Sequence, residues 1–130
     1  MNDELRPSDN FITFRILDSL TSPNKQTRKY YLPVFNKILR QSDGALSEVM
    51  GTPIIEFLKQ YPTDFAKTIK SDELFELYSN FAAYELSFSD DYQSDIDAIQ
   101  QTAQDNFRPY TDSELIKKFL KLTAKKVEEI

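Results

Sequence analysis

Cysteine, histidine and tryptophan are all missing from these 130 residues, and glycine occurs only twice. Without cysteine there can be no disulfide, no thiolate metal site and no thiol nucleophile. Without histidine the chain lacks the commonest general base, the commonest metal ligand and the usual pH switch. The missing thiols fix no compartment, because such a chain suits either redox environment. No apolar run approaches the ~18 residues that span a bilayer, so membrane insertion is not expected. The opening residues Met1-Asn2-Asp3-Glu4 are acidic and polar and show no secretory signal. That favours a cytoplasmic setting, with a secreted or periplasmic one left open if the numbering starts at a mature terminus. The two glycines, Gly44 and Gly51, leave little for β-hairpins or phosphate loops to be built from.

What the chain does contain reads as helices. Apolar residues make up 40% and charged residues 28%, a balance that suits a folded soluble chain. A chain of this length buries about two thirds of its unfolded surface and needs no staple. We therefore expect one helical domain over residues 1–130, with 1–8 a loose N-terminal segment. Ser8 or Asp9 is placed to cap a first helix reaching Leu20, with Ile12, Ile16, Leu17 and Leu20 inward. Thr21-Ser22-Pro23-Asn24 reads as a turn. A second helix is predicted from about Arg28 to Gln41, burying Tyr31, Leu32, Val34, Phe35, Ile38 and Leu39, with Pro33 near its first turn. Ser42-Asp43-Gly44 forms the next turn and cap.

From 45 to 60 the stripe Leu46, Val49, Met50, Pro53, Ile54, Phe57, Leu58 and Tyr61 keeps its phase through Gly51-Thr52-Pro53, which predicts one helix with a kink. Pro62 opens a short helix carrying Phe65, Ala66 and Ile69. Ser71 caps a long helix to about Phe88, aided by Asp72 and Glu73 at its positive end. A helix over about 91–106 follows, with the stripe Tyr92, Ile96, Ile99, Ala103 and Phe107. Thr111-Asp112-Ser113-Glu114 is a capping box opening a last helix that buries Leu115, Ile116, Phe119, Leu122 and Val127. The fold class is thus all-α. Six or seven short helices pack as antiparallel hairpins, in an irregular bundle or a small HEAT-like superhelical array. Leu32, Phe35, Leu39, Phe57, Phe81 and Phe119 are expected to be deeply buried.

Charge is segregated along the chain. The net charge is −5, and the stretch from Ser71 to Phe107 holds nine acids and no base. Seven aromatics share that stretch, and a lysine-rich helix follows it with Lys117, Lys118, Lys121, Lys125 and Lys126. Such a field repels phosphate, so no nucleic-acid partner is expected. The acidic run 89–97 resembles a calcium loop in composition only; it lacks the glycine and the closing glutamate. Its acids suit a helix N-terminus instead. Paired carboxylates alone do not make a glycosidase cleft. We expect no enzyme activity, no metal and no cofactor. The Lys25–Tyr31 cluster offers phosphate contacts beside aromatic faces, but reads more simply as a solvated turn.

The function that best fits is a non-enzymatic helical protein-interaction module with an acidic, aromatic-containing surface, in one form an inhibitor or immunity-type protein. Its expected partner is a protein or peptide with a basic surface, docked by Asp90, Asp91, Tyr92, Asp95 and Asp97. The alternative is a small carboxylate-dependent enzyme or ligand carrier using Glu85. This residue falls inside the apolar arc of Leu74, Leu77, Tyr78, Phe81, Ala82 and Phe88, where an unpaired carboxylate is costly. Lys126, equally out of place among Phe119, Leu122 and Ile130, is its expected partner, with a tyrosine hydroxyl as the other candidate.

Overall fold

The computed structural model describes residues 16, 18–41, 44–106 and 113–130, with the backbone alone over 44–49. Six helices run through the described residues, and no strand occurs among them: α1 Lys25–Gln41, α2 Gly44–Gln60, α3 Pro62–Thr68, α4 Asp72–Leu86, α5 Tyr92–Asn106 and α6 Ser113–Glu129. The all-α expectation holds. No helix among the described residues is long and apolar enough to cross a membrane.

Local chemistry explains most of the boundaries. α1 starts earlier than its apolar stripe implied, because Asn24 Oδ1 accepts from the backbone N–H groups of Gln26 at 2.9 Å and Thr27 at 3.2 Å. Pro33 therefore lies two turns inside α1, not in its first turn. It is exposed, so its ring meets solvent, but the carbonyl of Lys29 loses its i+4 donor. Residues 44–60 form one continuous helix through Pro53, as the unbroken phase required. Pro62 occupies the first turn of α3. Ser71 Oγ accepts from Leu74 N and caps α4, with Asp72 and Glu73 in the first turn. Most of the first predicted helix, Ser42, Asp43, Phe107 and the Thr111 and Asp112 part of the capping box lie outside the described residues. Ile16 and Leu20, at the described end of that first segment, are buried.

α4 is the centre of the molecule. It packs against α2 on one side and α6 on the other, and α1 leans on it. α5 closes the assembly by touching both α2 and α6, and α3 reaches α2, α5 and α6. A solenoid repeat meets only its neighbours along the array. Here α2 meets α5 across two intervening helices, so the arrangement is an irregular bundle. Short α3 has a central role. Its Phe65 ring makes edge-to-face contacts with Phe57 at 5.6 Å, Tyr78 at 5.8 Å and Phe119 at 5.0 Å between centroids. Phe35 meets Tyr78 in the same way at 6.0 Å. One cluster of rings thus joins α1, α2, α3, α4 and α6.

Four of the six residues expected deepest, Phe35, Leu39, Phe57 and Phe119, are fully buried. Leu32 and Phe81 are only half-buried. α4 is flanked on two sides, so its buried arc is Leu74, Tyr78, Ser79, Ala82, Ala83 and Leu86, centred on small residues that admit neighbours closely. Phe81 falls at the edge of that arc. In α6 the buried line is Ile116, Phe119, Leu120 and Thr123, so Leu115, Leu122 and Val127 are flank, not centre.

Gly51 marks the closest approach of α2 to α4. A Cβ at this position would lie 2.7 Å from the Phe81 carbonyl oxygen and 2.5 Å from Glu85 Cβ. The glycine that looked like an interruption is instead the contact that lets two helix backbones meet.

Candidate functional site

Helix α4 ends at Leu86, capped by Ser87, two residues short of the expected end. That difference decides what Phe88 does. Leu86 closes the buried arc, while Phe88 falls in the following turn with 71% of its surface exposed. The expectation that Phe88 joins the apolar face is thereby corrected. Its ring stacks edge-to-face on Tyr84 at 5.2 Å and is otherwise presented outward.

The turn is held by its own polar groups. Ser89 Oγ donates to Asp95 and accepts from Asp91 N at 3.1 Å. Asp91 Oδ1 accepts from Ser94 N at 3.1 Å and caps α5. Beside the turn an open groove of about 380 Å³ is lined by Ile55, Lys59, Glu85, Leu86, Phe88, Ser89, Asp95 and Ile99. Its lining is mixed: Ile55, Leu86, Phe88 and Ile99 are apolar, and Glu85, Asp95 and Lys59 bring two carboxylates and one lysine. Lys59 also pairs with Glu56 at 3.5 Å. Among the described residues no three His, Cys, Asp or Glu side chains gather to hold a metal ion.

The five residues expected to dock a partner have distinct local roles. Asp90, Asp91, Asp95 and Asp97 are all exposed. Asp91 is also the α5 cap, Asp95 is tied to Ser89, and Asp97 accepts from Gln93 Nε2 at 3.2 Å. Tyr92 is half-buried, and its hydroxyl donates to Glu128 at 2.8 Å, tying α5 to α6. That hydrogen bond is the main reason its phenol is pushed above the ordinary tyrosine range. Asp90 and the rim of the groove carry the charge that is left over from structure.

Glu85 and Lys126 are not brought together. Lys126 Nζ donates to Glu76 Oε2 at 2.6 Å, Ser79 Oγ at 2.7 Å, Asn80 Oδ1 at 2.6 Å and the Glu76 carbonyl at 3.2 Å. Its side chain is 14% exposed, so the ammonium is largely withdrawn from water and satisfied by α4. Position 126 faces the middle of α4, at Glu76, Ser79 and Asn80, roughly one and a half to two and a half turns before Glu85. Glu85 is half-buried, and its carboxylate has no hydrogen-bond partner among the described residues. It tolerates the apolar arc because its Cβ and Cγ cover Gly51 while the head lines the groove.

Other polar anchors were not foreseen. Tyr78, fully buried, donates from its hydroxyl to Asn36 Oδ1 at 2.5 Å. Burial pushes that phenol far above its ordinary range. Arg40 and Glu73 form a two-point pair at 2.7 and 2.9 Å between α1 and α4, and that hydrogen bonding holds the Glu73 carboxyl below the usual glutamate range. Comparison with family models, curated proteins and solved structures finds no match to the chain, so its function is argued from its own residues.

Proposed function

We propose that the chain is a helical protein-interaction module that acts by binding and not by catalysis. The corner between α4 and α5 docks a protein or peptide with a basic surface. The observation that carries this reading is Phe88, exposed in the lining of a groove that it shares with Glu85 and Asp95. Aromatic side chains, phenylalanine among them, are enriched in the buried centre of protein interfaces. The surrounding acids, Asp90, Asp91 and Asp97 included, steer a basic partner and set its orientation. The same acidic field disfavours nucleic acid. One specific form is an inhibitor or immunity-type protein that occludes a basic enzyme, acting in the cytoplasm.

The test is capture of a partner from native lysate by the tagged full chain, followed by binding of the purified partner. The reading predicts a basic partner whose affinity falls as salt rises. Asp90→Lys/Asp97→Lys should abolish binding with the helical circular dichroism unchanged, since neither residue caps a helix. Asp91 is left intact for that reason. Survival of binding in this variant, with loss on Lys25→Ala/Lys29→Ala, would place the interaction on the opposite charge and refute the reading.

A further inference from the structure

A second concavity, of about 410 Å³, opens between α1, the end of α2, α3 and the start of α4. It shares no lining residue with the groove beside Phe88. Leu32, Phe57 and Leu74 supply apolar lining. Lys25, Lys29 and Lys67, all exposed, stand around it, and Arg28 and Asn36 complete the wall. The lining residues include four cations and a single carboxylate, Asp64. In a chain of net charge −5 this is a local field of the opposite sign.

Arg28 is fixed in place. Its side chain is 10% exposed, its Nη1 donates to the Ser22 carbonyl at 2.7 Å, and its Nη2 lies 3.2 Å from Asp64. The guanidinium also lies over the Tyr61 ring, 3.6 Å from its centroid. Its Nε is buried and has no acceptor among the described residues. Asn36 spends its Oδ1 on the Tyr78 hydroxyl, and its amide completes the wall beside Arg28. Buried donors are normally satisfied, and a rigid cation with one buried donor unmet, beside three exposed lysines, favours an anion in this concavity.

We propose that this pocket binds one small organic carboxylate with an apolar body. The carboxylate meets Arg28, Asn36 and the lysines, and the hydrocarbon lies on Leu32, Phe57 and Leu74. The volume is within the ~300–1,000 Å³ of small-molecule sites. Bare phosphate would leave the apolar lining unused, and a neutral hydrocarbon would leave the cations unused.

The probe is octanoate, titrated into the ¹⁵N-labelled full chain, with octylammonium as the same tail of opposite charge and inorganic phosphate as charge without a tail. Octanoate should saturate at one per chain, with amide shifts centred on the lining residues and both controls at least ~10-fold weaker. Lys25→Ala/Lys29→Ala/Lys67→Ala, at exposed positions, should weaken octanoate binding by roughly 10-fold. Leu32→Glu should abolish it with the helical signal retained. Equal binding of octanoate and octylammonium, phosphate binding as tight as octanoate, full affinity in the lysine variant, or no saturation would each overturn the proposal. So would association with anionic lipid vesicles in the absence of octanoate binding, which would mark a surface and not a pocket.

Discussion

Substituting Gly51 by alanine sets two effects of opposite sign against each other. In an exposed helix interior the change stabilises by ~1 kcal/mol, because glycine has the poorer helix propensity. Here the new methyl carbon would stand 2.5 Å from Glu85 Cβ and 2.7 Å from the Phe81 carbonyl oxygen. Non-bonded carbons rest at ~3.5–4.0 Å, so α2 and α4 would have to part by roughly 1 Å. Neither obstacle is the far end of a flexible side chain, and no rotamer relieves the contact. Overpacking of this kind costs ~1–3 kcal/mol. It falls on the contact between α2 and central α4, so the upper half of that range is expected. The net effect is then a loss of ~1–2 kcal/mol after the propensity gain. Urea unfolding followed by circular dichroism should show a lower midpoint with an unchanged slope. Thr52→Ala, at the exposed neighbouring position, controls for propensity and should be neutral or slightly stabilising. If Gly51→Ala matched or exceeded the wild-type midpoint, the close approach of α2 and α4 would be wrong.

Three further outcomes follow from the same packing. Phe65→Ala removes the ring that touches Phe57, Tyr78 and Phe119, and should cost ~3–5 kcal/mol by chemical denaturation; a loss under about 1 kcal/mol would mean that α3 is not part of the core. Lys126→Ala should cost ~1–2 kcal/mol because it removes an ammonium whose three N–H groups are shared among four acceptors on α4, whereas Glu85→Gln should leave the unfolding midpoint nearly unchanged; the reverse order would restore a Glu85 pairing. The Tyr78 phenol is raised on folding, so its contribution is complete below the unfolded value of ~10 and is lost as pH rises beyond it. The stability advantage of wild type over Tyr78→Phe should therefore hold up to about pH 9 and shrink as pH rises past about 10, and a constant advantage up to about pH 11 would contradict the burial.

Much of the fold was legible because helical phase is a local property. The stripe from Met50 to Leu58 kept its period through Pro53, and one continuous helix results. Ser71 announced the start of α4 by cap chemistry alone. What was not legible depends on how many neighbours a helix has. A wheel centred on one apolar arc put Phe81 and Phe88 inside, whereas α4 is sandwiched and buries Ser79, Ala82 and Ala83. Phe88 was readable in hindsight from Ser87 and Ser89, the turn residues on either side of it. The Lys126–Glu76 pair was not, because which turn of α4 faces position 126 depends on how the two helices are offset. The acids of the 89–97 run divide in the same way. Asp91 as a cap follows from sequence position, but the leftover charge beside an exposed aromatic appears only once the turn is folded.

The measurement that bears most directly on the docking corner is the affinity of the captured partner for Phe88→Ser. The side chain is 71% exposed, so the change removes an anchor without opening the core. Affinity should fall by about 30-fold or more, the ~2 kcal/mol threshold of an interface hot spot, with the unfolding midpoint unchanged. Undiminished affinity in a folded Phe88→Ser variant would contradict the assignment of this corner as the docking surface.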